Sequence, residues 1–286
     1  MNDSSTIQVG GERAVRRLGY GAMRLCGQGV WDWPADRENA LRVLRRAVEL
    51  GVNFIDTADA YGPHINEEQI AQALYPYPSD LLIATKGGST RSGPSQWDRD
   101  GRPAHLKEAC EGSLRRLRLD CIDLYQLHTV DPKVPFEEQV GALKDLRDAG
   151  KIRFVGLSNV DLDQLRRAEA IVEIASVQNN YNVGDRTSES VLEHCTQHGM
   201  AFIPYFPLDG GDLGVVTTLE PFARAHGATI WQIALAWLLA HSTAMLPIPG
   251  TSSVPHLEEN VASAAIRLTA EELDALNKIG AAATAK

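Results

Sequence analysis

Eight short apolar strands, separated by helical segments, predict a closed (β/α)8, or TIM, barrel preceded by a β-hairpin. Three observations carry that prediction. First, "LRVLRRAVELGVNFID", "FEEQVGALKDLRDAGKIRFVGLSN" and "VLEHCTQHGMAFIPYF" repeat one pattern: an amphipathic helix, a glycine (Gly51, Gly150, Gly199), then a strand. Second, those strands are apolar on both faces, as strands of a helix-covered parallel sheet must be. Third, no G-x-G-x-x-G occurs, and "GYGAMR" lacks the third glycine, so the glycine-rich first turn common in an open nucleotide-binding sheet is missing.

Taken in order, "TIQVGGERAVRRL" reads as a hairpin turning at Gly10-Gly11, placed to plug the barrel floor. The strands follow near Leu18–Met23, Asn53–Thr57, Leu81–Lys86, Ile122–Leu127, Phe154–Leu157, Ser176–Gln178, Ala201–Tyr205 and Ala244–Ile248. Gly87–Ala104, polar and rich in Gly, Ser and Pro, reads as an extended loop after the third strand, on the C-terminal face. A last helix is expected near Glu271–Ile279. The 286 residues suit one barrel domain over 1–286, with no linker in the composition.

Hydrophobic residues make up 44%, enough for a large core, and the net charge is -9. That charge argues against nucleic acid or an anionic membrane as the main partner. Cys26, Cys110, Cys121 and Cys195 include no CxxC and have no metal-ligand spacing, which suits reduced thiols in the cytoplasm. No signal peptide is recognisable, and the longest apolar run, Ile233–Ala240, is too short to span a bilayer.

In a barrel of this kind, chemistry sits where strands end. Asp56 ends the second strand, with Tyr61 five residues on; Lys86 ends the third and His128 the fourth. These residue types suit hydride addition to a carbonyl. The new alkoxide needs a proton, which a tyrosine can supply once a neighbouring ammonium lowers its pKa of about 10. Lys86 is the candidate ammonium, Asp56 can keep it charged and oriented, and His128 can hydrogen-bond the carbonyl oxygen and share in proton delivery. No side chain donates a hydride, so a nicotinamide is required.

The stretches "GVNFIDTADAYGPHINEEQIAQAL", "LLIATKGG", "IDLYQLHTVD", "FVGLSN", "VQNNYN" and "IPGTSSVPHLEENVAS" resemble the aldo-keto reductase superfamily in order and spacing. The resemblance covers almost the whole chain. It implies a catalytic tetrad at Asp56, Tyr61, Lys86 and His128, and a bound NADP(H), with NAD(H) as the alternative. Ser158, Asn159 and Gln178 would then hold the carboxamide, and Tyr205 would stack on the nicotinamide. Ala22 and Met23 would line the cofactor site, and the loop from Pro207 and Leu208 to Gly214 would lie near the pyrophosphate. Gly250, Thr251, Ser252, His256, Glu259 and Asn260 would hold the adenosine end. NADPH-specific relatives often carry a lysine and an arginine where this chain has Gly250 and His256, which leaves hydroxyls, helix N–H groups and His256 as donors. The family's longer C-terminal loop is lacking, so one side of the substrate pocket should be open. The implied partner is a small carbonyl compound, with no obligate protein partner. Compact bacterial members with a similar "IPGTSS…HLEEN" stretch look like pyridoxal reductases, which makes pyridoxal a candidate substrate.

Other residues have structural readings. Asp59 is a turn former, and Trp231 and Trp237 read as core. Trp31 and Trp33, after the first strand, either line an aromatic substrate pocket or pack the loop, and Trp97 in the long loop has the same two readings. His194 and His198 lie four apart, but Cys195 stands where a metalloprotease helix needs Glu. Two rival functions fit the same fold: a nicotinamide-sensing regulatory subunit, and an aldolase forming a Schiff base on Lys86.

Overall fold

A computed structural model describes residues 5–209 and 216–283. The hairpin forms as expected, with β1 (Thr6–Val9) antiparallel to β2 (Arg13–Arg16). Seven parallel strands follow: β3 (Tyr20–Gly21), β4 (Phe54–Asp56), β5 (Leu82–Gly87), β8 (Ile122–Leu127), β9 (Ile152–Ser158), β10 (Ile174–Gln178) and β11 (Ala201–Phe202). They pair in chain order from β3 to β11.

The eighth position is filled by Ala244–Ile248 without a regular strand. Phe202 N–H donates to Ala244 O (2.8 Å), Leu246 N–H to Phe202 O (2.8 Å) and Gly19 N–H to Pro247 O (2.9 Å). These bonds close the ring between β11 and the entry to β3. A longer ladder cannot form there because Pro247 and Pro249 have no N–H to donate. β11 likewise stops before Pro204, two strand residues rather than the expected five. β3 is shorter than expected because Ala22–Leu25 turn into a 3₁₀ helix.

The helices that cover the barrel are α1 (Arg37–Glu49), α2 (Ile65–Leu74), α3 (Pro103–Leu117), α4 (Phe136–Asp148), α5 (Leu162–Glu169), α6 (Glu189–His198), α7 (Val216–His226), α8 (Ile230–His241), α9 (Val254–Ala262) and α10 (Ala270–Ala283). Their starts follow local chemistry. Asp36 caps α1, and Asp161/Gln164 and Thr229/Gln232 form reciprocal capping boxes on α5 and α8. None of the described helices is long and apolar enough to cross a membrane.

Inside the ring, Phe54, Leu82, Ala84, Leu124, Phe154, Ala201, Ile203 and Leu246 pack on Val9 and Val15 of the hairpin, which plugs the floor. The fit at the turn is tight: a Cβ on Gly10, which has φ +60°, would lie 2.2 Å from the Phe154 ring. Strand side chains alternate in direction, so each inward column can be read at every second residue. Phe54 leads to Asp56, Leu82 and Ala84 to Lys86, and Leu124 to Gln126 and His128. Each column begins apolar at the floor and ends polar at the mouth. The segment Gly87–Ala104 is more ordered than an irregular loop: β6 (Ser89–Gly93) and β7 (Gln96–Arg99) form a hairpin beside the mouth.

Candidate active site

Lys86 is fully buried, as is almost all of Asp56. The Lys86 ammonium donates to Asp56 Oδ2 (2.6 Å), to Thr57 O (2.8 Å) and to the Tyr61 hydroxyl (3.4 Å), so its three N–H bonds are all directed. Asp56 Oδ1 accepts from the amides of Gln178 (2.8 Å) and Gln126 (3.3 Å). The Tyr61 ring meets the His128 ring edge-on, with centroids 5.7 Å apart. The four sequence candidates Asp56, Tyr61, Lys86 and His128 thus meet at one point, three of them from adjacent strand ends.

The electrostatics differ from expectation in two respects. Burial raises the Tyr61 pKa; Lys86 lowers it, Asp56 raises it, and the net value lies above that of a free tyrosine. The ammonium sits closer to Asp56 than to the phenol, which limits its pull. Tyr61 is therefore a neutral O–H donor at pH 7, not an activated phenolate. Burial disfavours the Lys86 charge, but Asp56 and Tyr61 more than offset this, and its pKa is raised. Burial, then Lys86 and Arg91, push His128 well below the usual histidine range, so at neutral pH it is an uncharged imidazole. Its Nδ1 is buried without a hydrogen-bond partner. It can orient a carbonyl by hydrogen bonding, but it carries no spare proton to deliver.

A pH dependence follows from these directions. Carbonyl reduction should show no inflection near 6.5, because His128 stays neutral through that range. The rate should fall only on the alkaline side, beyond the pKa of about 10 of a free tyrosine, as Tyr61 and Lys86 lose their protons. A kcat/KM profile checks this, and a step near pH 6.5 would contradict the neutral imidazole.

These groups open into a cavity of about 1320 Å³, large enough for a dinucleotide and a small substrate together. Ser158, Asn159 and Gln178 line its inner part. Asn159, at φ +59°, donates to His128 O (3.0 Å) and Ser158 Oγ (3.0 Å), while its Oδ1 accepts from the Tyr205 hydroxyl (2.7 Å). That bond fixes the Tyr205 ring on the cavity wall. Pro207 and Leu208 continue the wall; residues 210–214 of the expected pyrophosphate loop lie outside the described residues. At the far end stand Thr251, Ser252, His256, Glu259 and Asn260, where Ser253 caps α9. Gly250 is required there: a Cβ would lie 2.6 Å from Gly21 O, so no lysine fits at that position. Amides, a braced aromatic ring and a hydroxyl-rich helix start in one cavity fit a nicotinamide dinucleotide.

Several assignments change. Met23 lines the cavity, but Ala22 is buried beneath it, its carbonyl accepting from Asn66 (3.0 Å). Trp31 and Trp33 are not cavity walls. Trp33 lies outside, under Arg37 (4.6 Å) and beside Glu68, Gln72, Arg116 and Arg118; Trp31 pairs through its backbone with Gly62. Of the three tryptophan candidates Trp97 does line the cavity, as do Phe206 and Trp231, whereas Trp237 is core. Asp59 does form the turn, its carbonyl accepting from His64 N–H (2.7 Å), yet its carboxyl is buried and raised well above the usual range by burial and by Glu67. Gln126 was legible in principle, since it shares an inward column with His128. Asn66, Glu67 and Gln69, all fully buried on α2, were not: a helix pattern assigns such residues to solvent.

A parallel barrel with these residues at its C-terminal mouth has the form of a barrel oxidoreductase. The chain belongs to the Aldo/keto reductase family, whose model matches residues 17–281. It is 46% identical over 286 residues to an uncharacterized oxidoreductase of Schizosaccharomyces pombe, covering 100% of this chain and 93% of that protein. It is 43% identical over 282 residues to pyridoxine 4-dehydrogenase of Escherichia coli, covering 96% and 99%. Among solved structures, glycerol dehydrogenase from Gluconobacter oxydans aligns at TM-score 0.90 and 27% identity, over 100% and 98% of the two chains. An aldo-keto reductase from Klebsiella pneumoniae in complex with NADPH aligns at 0.82 and 30%, over 96% and 94%.

Proposed function

We propose that this protein reduces an aldehyde or ketone to an alcohol with NADP(H), Tyr61 giving the proton to the carbonyl oxygen. The observation that carries this reading is the buried Lys86 ammonium, held by Asp56 at 2.6 Å and directed at the Tyr61 hydroxyl. When bound, the nicotinamide supplies the hydride that no side chain can. As negative charge develops on the carbonyl oxygen, Tyr61 donates its proton and Lys86 stabilises the phenolate left behind. Asp56, braced by Gln178 and Gln126, keeps the ammonium in place. His128 orients the substrate oxygen as a neutral imidazole. Ser158 and Asn159 would hold the carboxamide, and Tyr205 would back the nicotinamide ring.

The Schiff-base reading loses support here. An aldolase lysine must be deprotonated to attack, whereas Lys86 is held charged with every N–H committed. Four unpaired thiols suit the reducing cytoplasm.

Preference for NADP(H) is supported by Arg24. It lines the cavity without a hydrogen-bond or ion-pair partner among the described residues, and its Cγ would lie 3.5 Å from a Cβ on Gly250. Its guanidinium can thus supply a cation that position 250 cannot. Arg24→Met is expected to weaken NADP+ binding about tenfold, corresponding to loss of one charged phosphate contact, and NAD+ binding less than twofold. Calorimetry with both nucleotides checks it; equal losses would move Arg24 to the pyrophosphate.

The test of the whole reading is the absorbance of NADPH and NADH followed against an aldehyde panel that includes pyridoxal, suggested by the similarity to pyridoxine 4-dehydrogenase. Nicotinamide binding without turnover of any carbonyl would favour a cofactor-sensing role instead.

A further inference from the structure

The β6–β7 hairpin carries an arginine whose charge helps keep His128 neutral but whose hydrogen bonds play no part in the chemistry above. Arg91 donates to five backbone carbonyls: Gln96 (2.8 Å), Val30 (2.8 Å), Ala60 (3.3 Å), Gly29 (2.7 Å) and Gly93 (3.3 Å). These come from the hairpin, from the loop after β3 and from the residue preceding Tyr61. No described carboxylate pairs with it. Its Cζ lies 3.8 Å from the centroid of the Trp97 ring, so the guanidinium is also stacked on that indole.

Trp97 is 44% exposed and lines the cavity. Its ring stands edge-on to Tyr61 (6.3 Å) and to His128 (6.1 Å). An isolated two-stranded hairpin is marginally stable in water, so something must hold this one in place. Arg91 does so with a planar fork that lysine cannot reproduce. We propose that Arg91 is a positioning residue that sets substrate selection. By fixing Trp97 beside Tyr61 and His128, it builds a flat aromatic wall that favours planar aromatic aldehydes over aliphatic ones of equal size. The inference rests on the carbonyl-reducing reading of this site and names its substrate class. Preorganisation is the physical reason: a wall already ordered loses no side-chain freedom when a ring stacks on it.

Benzaldehyde and cyclohexanecarbaldehyde test the wall, since they differ in planarity far more than in size. Arg91→Met keeps the stem and removes the fork. It should raise KM for benzaldehyde at least tenfold and KM for cyclohexanecarbaldehyde less than threefold, with smaller changes in kcat and no change in the NADP+ Kd. Trp97→Leu should produce the same shift, and the double variant no more than either alone, because both act through one contact. Arg91→Lys, which keeps the charge without the fork, should rescue little of the selectivity and guards against a folding artefact in Arg91→Met. Equal losses on both aldehydes, or additive effects in the double variant, would overturn the proposal. If the wild-type protein turned over no carbonyl, the functional reading would fail separately. The wall would then be judged by calorimetry with benzyl alcohol and cyclohexylmethanol: preference for the aromatic ligand, lost in Arg91→Met, sustains it, and no preference removes it.

Discussion

Tyr61→Phe is expected to lower kcat for carbonyl reduction by about 10²–10⁴-fold, the usual contribution of a positioned general acid. The Phe ring fills the same space against Cys26 and Ala58, so the fold and the NADP+ Kd should not change. What disappears is a hydroxyl that faces the cavity within reach of the Lys86 ammonium. Single-turnover kinetics, with nucleotide binding measured in parallel, separates the two effects. A Phe variant with wild-type turnover would remove Tyr61 as the acid.

Lys86→Met has a second consequence besides lost turnover. It leaves the Asp56 carboxylate buried with only the Gln178 and Gln126 amides as partners. Removing one member of a buried ion pair costs about 3–5 kcal/mol, because the remaining charge is uncompensated. Urea unfolding should show that loss. The double variant Lys86→Met/Asp56→Asn should regain part of the stability and none of the activity, since the charge conflict is gone but the phenol has no ammonium. An unchanged urea midpoint in Lys86→Met would mean that the pair does not hold the barrel mouth together.

The two variants would divide the site into the proposed acid and the residues that hold it, and that division also marks what could be read from the sequence. Asp56, Lys86 and His128 were legible because each ends an apolar strand, and strand ends converge in a parallel barrel. Tyr61 was legible because the proposed proton transfer needs the other three nearby. Trp31 and Trp33 misled because closeness in sequence to a strand end does not set side-chain direction: the loop after β3 turns Trp33 outward onto Arg37. Trp97, ten residues past its strand, enters the cavity because its segment folds back as a hairpin. The sequence placed Trp97 in a loop on the face of the barrel mouth, but no local pattern in that Gly- and Ser-rich stretch announces the hairpin.

Alternation of strand and helix, and the residues that close each helix, determined by themselves that this chain forms a barrel with Asp56, Lys86 and His128 at one rim. Those features are local, set by periodicity and caps, and neighbouring strands translate them directly into space. Only the tertiary structure decided the protonation of that rim and the walls around it. Tyr61 is raised rather than lowered because burial and Asp56 outweigh a lysine 3.4 Å away. His128 is neutral because it is buried near two cations, Lys86 and Arg91. Both outcomes are sums over groups far apart in the chain, at distances that no run of residues encodes.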